Sequence, residues 1–130
     1  MPVNRLRSVP RALLLAATAL VGAGCVDFGL PADCDEPRVM RDVTVTQDTM
    51  SPTSIEACRD QQMELVIGAE TDGVFHIHGY DEDVPATTIA AGEMLTLQFV
   101  AGRSGQFPIE LHPADDPTGV SIGILTVHEP

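Results

Sequence analysis

Two histidines, His76 and His78, alternate with apolar residues in the stretch 74–83, which reads VFHIHGYDED. In a β-strand they lie on one face, and Phe75 and Ile77 lie on the other face and are predicted to be buried. Imidazole combined with oxygen ligands suits Cu(II) or Zn(II). The spacing therefore predicts either part of a metal site or two solvated histidines on an outward face.

The segment 109–112, which reads IELH, shows the same alternation of apolar and polar residues. Ile109 and Leu111 are predicted core residues, which places Glu110 and His112 together on the opposite face. The candidate metal ligands are His76, His78, His112 and Glu110, with Asp81 as an alternative carboxylate. We expect these groups to meet at one end of a barrel and to form an exposed mononuclear site for copper or zinc.

The remaining polar residues predict no catalytic centre. Tyr80 is interpreted as a half-buried aromatic residue of the sheet and His128 as an exposed terminal residue. The acidic run 81–83 is interpreted as a solvated turn, because it lacks the spaced acids and the glycine of a calcium-binding loop. No nucleophile–histidine arrangement with a supporting motif and no glycine-rich phosphate loop occurs, so we expect no enzymatic activity.

The composition favours many short strands. The chain has 130 residues with 10 prolines, 11 glycines and no tryptophan, and no stretch keeps a helical period. Strand patterns occur near 43–46, 54–58, 63–67, 74–78, 87–90, 94–100, 107–112 and 120–127. About eight strands with regular turns predict an all-β, antiparallel Greek-key sandwich or barrel. A change of phase between Ile124 and Leu125 indicates a bulge or burial on both faces.

The N-terminus has the pattern of an export signal. Three arginines precede the apolar run 12–21, which is too short to span a bilayer. The following Gly22-Ala23-Gly24-Cys25 resembles a bacterial lipobox, in which the cysteine carries lipid. This divides the chain into a signal peptide (1–24), a lipidated Cys25 with its tether (25–39) and a domain (40–130), anchored to a bacterial membrane outside the cytoplasm. Ordinary cleavage after Ala23 or Gly24 is the alternative.

Three cysteines are an odd number for an exported protein. If Cys25 carries lipid, Cys34 and Cys58 remain to form a disulfide in an oxidising compartment. A metal site at these two cysteines is the weaker reading, because no Cys-x-x-Cys spacing is present.

The charge balance excludes nucleic acid as a partner. The whole chain has a net charge of −12, and removal of Arg5, Arg7 and Arg11 leaves four arginines against 19 acidic residues. Phosphate binding requires Lys and Arg, which displace counterions. An excess of acids instead raises the local concentration of cations.

The order of the motifs resembles the cupredoxin-like family. The chain shows Met50-Ser51-Pro52, then the hydrophobic stretch 65–67, and then His76 with Tyr80 and the acidic run, which is similar to the region of a first copper histidine. His78-Gly79-Tyr80 resembles the same motif in dinuclear-copper subunits, so either histidine is the equivalent residue. Ala91-Gly92-Glu93 and Gly105-Gln106-Phe107 follow in family order. The resemblance covers about residues 43–127.

The resemblance implies a copper-related fold without a blue-copper centre. Leu111 and Ser121 stand where the family has its cysteine and methionine ligands. A blue-copper site needs the cysteine thiolate, so electron transfer of that kind is excluded. Related domains accompany iron-uptake and oxidase components, which implies the alternative of a metal-free module that contacts another cell-envelope protein.

Overall fold

The computed structural model describes residues 29–130, and the predicted signal peptide and Cys25 lie outside this range. The strands are β1 (Arg38–Val45), β2 (Met50–Ser51), β3 (Ser54–Cys58), β4 (Gln62–Ala69), β5 (Gly73–Ile77), β6 (Thr87–Ile89), β7 (Met94–Val100), β8 (Gly105–His112) and β9 (Val120–His128). β1 begins at Arg38, before the predicted domain boundary at residue 40. The described range contains no helix, and therefore none long and apolar enough to cross a membrane.

The strands form two sheets packed face to face. One sheet has the order β2-β1-β4-β7 and the other the order β3-β9-β8-β5-β6. The predicted all-β sandwich is confirmed, with nine strands because β2 is a separate two-residue strand. Two neighbouring pairs, β1 with β4 and β3 with β9, are parallel and not antiparallel. The chain leaves β1, crosses to the other sheet as β3 and returns as β4, and such a crossover allows parallel pairing.

The core lies between the sheets and is made of the inward-facing residues of each strand. Phe75, Ile77, Ile109 and Leu111 are all 0% exposed, as their alternation predicts. Burying a side chain of this size stabilises the fold by about 1.5–3 kcal/mol. The same alternation fixes the histidines of β5 and β8 on the outward face of their sheet.

A β-bulge interrupts the pairing of β8 with β9 beside Glu110. Ile109 pairs with Gly123 but Glu110 pairs with Ser121, which leaves Ile122 as the extra residue. The bulge therefore lies at Ile122 and not between Ile124 and Leu125. Because a bulge changes the local twist and direction of side chains, it affects how Glu110 is presented on the outward face.

Tyr80 is fully buried, and the prediction of a half-buried position is wrong. Its ring makes edge contacts with Phe99 and Phe107, at centroid distances of 5.5 and 4.7 Å. Its hydroxyl donates to the carbonyl of Arg103 at 2.8 Å and accepts the N–H of the same residue at 3.2 Å. These partners allow a polar end to lie inside the fold without an unsatisfied group.

The N-terminal part of the described range is fastened to the barrel. Cys34 and Cys58 form the predicted disulfide, with a Cα–Cα distance of 5.3 Å. Gln61, which is 3% exposed, donates from Nε2 to the carbonyls of Asp33 and Glu36, both at 2.6 Å. Its Oε1 accepts the N–H of Cys58 at 2.7 Å. The segment before β1 is therefore held by one covalent bond and a buried amide.

Candidate metal centre

Strands β5 and β8 bring the two predicted segments together. They are antiparallel neighbours, and His76 pairs directly with Glu110. His78 follows the end of β5 and continues the ladder, since its N–H donates to the carbonyl of Pro108 at 2.9 Å. Both histidines thus lie on the outward face of the five-stranded sheet, beside Glu110.

His112 completes the group from the last position of β8. It pairs with Val74, at the start of β5, so it lies diagonally across from His76, with 5.9 Å between the ring centroids. All four predicted residues are therefore near one another. They lie on a sheet face and not at an end of the barrel, because in an antiparallel pair the end of one strand meets the start of the other.

One carboxylate oxygen is the centre of the cluster. Oε2 of Glu110 lies 2.7 Å from Nε2 of His78 and 3.5 Å from Nε2 of His112. The rings of His76 and His78 are 4.4 Å apart between centroids. Ligand atoms of His76, His78 and Glu110 all lie within 4.8 Å of one another. These three donors are therefore close enough to be candidate ligands of one ion.

Asp81 contacts the cluster from the turn after β5. Its Oδ1 is in direct contact with Nε2 of His76, and its Oδ2 accepts the N–H of Gly79 at 3.3 Å. The Asp81 side chain is 58% exposed, which agrees with a solvated turn, but it is not free. It is available as a further oxygen donor at the edge of the site.

The loop between β8 and β9 covers the other edge, and sequence reasoning missed its part in the site. The carbonyl of Pro117 lies 3.3 Å from Nδ1 of His112. A Cβ added at Gly119 would be 2.7 Å from Oε2 of Glu110 and 2.8 Å from Nε2 of His112. The sequence signal was a glycine seven residues after His112, which is too common to be specific.

Both carboxylates of the cluster are favoured in their charged form. The hydrogen bond with His78 lowers the pKa of Glu110, against an opposing effect of partial burial. The hydrogen bond with His76 lowers the pKa of Asp81 in the same way. An ionised carboxylate is the form that binds a metal ion, so neither oxygen donor has to lose a proton at neutral pH.

His128 lies outside this cluster, at the end of β9. Its side chain is 50% exposed, as predicted, and its Nε2 lies 2.6 Å from Oε2 of Glu56. A single histidine–carboxylate pair of this kind offers two donors. This pair can therefore serve as a control for the larger group around Glu110.

The structure also shows the surroundings of Leu111 and Ser121, which stand where the family has its cysteine and methionine ligands. Leu111 is 0% exposed and belongs to the core, and Ser121 is exposed on β9. The two cysteines in the described range are joined in the disulfide. The outward face of β5 and β8 therefore offers imidazole nitrogens and carboxylate oxygens, which is the donor set of Cu(II) and Zn(II) sites.

No protein-family model matches the chain, and no curated protein matches it either. Solved structures are similar in fold. A copper-binding protein in its apo form has a TM-score of 0.56 at 13% identity, over 76% of this chain and 96% of that one. The metal-binding domain of a Cu(I)-exporting P-type ATPase from Streptococcus pneumoniae D39 has a TM-score of 0.55 at 14% identity, over 75% and 93%.

Domains of larger oxidases are similar as well. A laccase of B. aclada has a TM-score of 0.56 at 19% identity over 72% of this chain, but the match spans only 23% of the laccase. A multicopper oxidase has a TM-score of 0.53 at 14% identity, and 42% of its length is covered. At these identities the likeness concerns the fold alone. The chain has a cupredoxin-like fold.

Proposed function

We propose that the protein is a metal-handling module that binds Cu(II) or Zn(II) through His76, His78 and Glu110. The observation that carries this proposal is the grouping of three donor atoms within 4.8 Å of one another on two hydrogen-bonded strands. The β-ladder fixes the backbone of these residues, so the backbone loses little further conformational entropy when an ion binds.

The identity of the donors supports a borderline divalent ion. Two imidazoles and a carboxylate suit copper and zinc, whereas magnesium and calcium prefer oxygen ligands alone. The excess of acidic residues in the whole chain, with its net charge of −12, also favours the approach of cations.

We propose that the site is not a blue-copper centre. That chemistry needs a cysteine thiolate with two histidines and a weak axial ligand. The position predicted for the thiolate is occupied by Leu111, whose side chain is buried in the core, and the position for the methionine by Ser121. Binding, storage or delivery of the ion fits these residues better than electron transfer or catalysis.

We further propose that the module works outside the cytoplasm, held to a bacterial membrane by lipid on Cys25. The lipobox-like sequence before Cys25 motivates this proposal, and a disulfide between Cys34 and Cys58 is compatible with an oxidising compartment. Radiolabelled palmitate incorporated into the wild-type chain, but not into Cys25→Ser, tests the anchor. Equal labelling of both chains would exclude Cys25 as the lipid site.

The metal proposal is tested by titrating the tag-free domain with Cu(II) and Zn(II) and by recording the electron paramagnetic resonance of the copper form. We expect one ion per chain. We expect His76→Ala and His78→Ala each to weaken binding by more than about a hundredfold, since even the loss of a group that only hydrogen-bonds to a ligand costs about ten- to hundredfold.

His128→Ala is the matched control, because it removes a histidine that also pairs with a carboxylate but lies outside the cluster. Its affinity should equal that of the wild type. Equal losses in His128→Ala and His76→Ala, or no stoichiometric binding at all, would contradict the proposed site.

A second candidate is a metal-free module that contacts another envelope protein. It is favoured by one observation: Nε2 of His76, His78 and His128 each already contacts a carboxylate, so this ring nitrogen has a partner without an ion. Pull-down from membranes separates the two functions. A partner retained equally with and without chelator supports the metal-free module, and a partner lost with chelator supports the metal site.

A further inference from the structure

His112 lies just outside the three-residue group but has an unusual contact with it. Its Nε2 is 3.5 Å from Oε2 of Glu110, too long for a good hydrogen bond. Its other ring nitrogen, Nδ1, is 3.3 Å from the carbonyl oxygen of Pro117. The carbonyl can only accept a hydrogen bond, so this contact favours a ring proton on Nδ1.

That tautomer leaves a lone pair on Nε2 of His112. The lone pair then lies close to an ionised carboxylate oxygen, and two adjacent acceptors repel unless a donor such as water or a cation lies between them. A metal ion bound to both atoms removes this repulsion. The 3.5 Å separation leaves room for such an ion, whereas a proton shared by nitrogen and oxygen would draw the two atoms to about 2.7–2.9 Å.

The separation also fits coordination geometry. Two ligands bound at about 2.1 Å with a tetrahedral angle between them are roughly 3.4 Å apart. The distance between Nε2 of His112 and Oε2 of Glu110 is close to this value. By contrast, Nε2 of His78 at 2.7 Å from the same oxygen is at hydrogen-bond distance.

Gly119, in the loop between β8 and β9, lies beside the space between Nε2 of His112 and Oε2 of Glu110. Any Cβ at that position would be 2.7–2.8 Å from both atoms of the pair, so Glu110, His112 or the loop would have to move to admit a side chain. Its backbone φ is not in the left-handed region, so conformational freedom is not what requires a glycine. Close approach to the pair is the physical reason for it.

We propose that His112 is a fourth ligand, held in its binding tautomer by Pro117, and that the loop 113–119 closes the site. This inference rests on the proposed metal function and extends it. Three imidazoles and one carboxylate fill the four positions of a Zn(II)-type site, and closed four-ligand sites retain their ion whereas catalytic sites keep a position open. The module therefore stores or carries the ion and does not use it as a reaction centre.

The tautomer is tested first in metal-free, nitrogen-labelled protein by long-range proton–nitrogen correlation. We expect the proton of His112 on Nδ1. A proton on Nε2 alone would overturn the role of Pro117 and of His112, and would leave the three-residue site of the proposed function intact.

The ligand count is tested by pulsed electron paramagnetic resonance of the Cu(II) form. Wild type should show three coupled imidazole nitrogens, and His112→Ala should show two, with an affinity lower by at least about tenfold. Equal spectra and affinities in the two proteins would overturn the fourth ligand alone. Absence of any bound copper in wild type would overturn the proposed function together with this inference.

Closure by the loop is tested with Gly119→Ala, which removes no ligand. The matched control is Gly102→Ala, because an added Cβ there would meet only the carbonyl of Val100, at 4.0 Å. We expect faster release of copper to a chelator from Gly119→Ala by at least about tenfold and no change in Gly102→Ala. Equal release rates in all three proteins would overturn the role of the loop.

Discussion

His76 and Glu110 stand directly opposite each other on β5 and β8, and this pair sets the position of the whole cluster. Because side chains alternate along a strand, His78 and His112 lie on the same face as this pair. A shift of β5 by one residue relative to β8 would turn His76 and His78 towards the core. The same pairing that buries Ile77 against Ile109 therefore also assembles the donors.

Metal should stabilise the folded protein. At a free Zn(II) concentration of about 100 times the dissociation constant, binding to the folded state alone raises the free energy of unfolding by about 2.7 kcal/mol. We expect this gain to be lost in Glu110→Gln, because an amide is a poorer metal ligand than a carboxylate. Urea unfolding with and without zinc measures it.

Glu56→Gln is the matched control for that experiment. Glu56 also accepts from a histidine, and its side chain is 22% exposed compared with 24% for Glu110. Zinc should stabilise Glu56→Gln as much as it stabilises the wild type. Equal stabilisation of Glu110→Gln would remove Glu110 from the ligand set.

The faces of the histidines could be predicted from the sequence, and their arrangement could not. Alternation along 74–78 and 109–112 decides which side chains are buried, since Phe75 and Leu111 strongly prefer the core. It does not decide which strands pair or with what offset, because pairing between distant segments depends on the packing of the whole sandwich. The expectation of a site at the end of the barrel was wrong for this reason.

The edges of the site were beyond sequence reasoning. Contacts of Asp81 with His76 and of Pro117 with His112 depend on the path of two turns, which no periodicity describes. The buried position of Tyr80 depends on the rings of Phe99 and Phe107, which come from other strands. Local pattern predicts elements well, but the contacts between turns and sheets are set by tertiary packing.

Gln61 should be important for stability. Replacement by alanine leaves the N–H of Cys58 and the carbonyls of Asp33 and Glu36 without the partner they have now. Because unsatisfied buried groups cost about 1–3 kcal/mol each when water does not reach them, we expect Gln61→Ala to lower the free energy of unfolding by about 2–4 kcal/mol. Urea unfolding followed by tyrosine fluorescence measures the change.

The control for Gln61 is Gln98→Ala. Gln98 is exposed and its Nε2 donates to one carboxylate oxygen of Glu64, at 2.9 Å. Its loss should change the free energy of unfolding by less than about 0.5 kcal/mol. Similar effects at both positions would show that the buried amide does not hold the N-terminal segment.

The disulfide should contribute strongly in a domain of this size. Cys34 and Cys58 are 24 residues apart, and a loop of this length is expected to stabilise the fold by about 3 kcal/mol through the entropy of the unfolded chain. We expect the double variant Cys34→Ser/Cys58→Ser to lose about this amount in urea unfolding. A reductant should destabilise the wild type and leave the double variant unchanged; a reductant effect of the same size in both would point to another cause.

The raised pKa of Tyr80 should make the free energy of unfolding fall at alkaline pH. Burial raises its pKa above the ordinary value of 10.0, against an opposing effect of the Arg103 backbone. Below the ordinary value both the folded and the unfolded chain keep the phenol neutral. Above it the unfolded chain ionises first, so the free energy of unfolding falls by up to about 1.4 kcal/mol per pH unit until the raised pKa is reached.

The composition of the chain allows the ionisation of Tyr80 to be measured directly. The chain has one tyrosine, no tryptophan and no lysine, so tyrosinate absorbance reports Tyr80 alone and no lysine titrates in the same range. We expect the absorbance change of the folded protein to begin at higher pH than that of the urea-unfolded protein. In Tyr80→Phe the alkaline loss of stability should disappear, although its stability at neutral pH is lower because Arg103 loses two hydrogen bonds. Coincident titration curves for folded and unfolded wild type would show that the phenol is open to solvent.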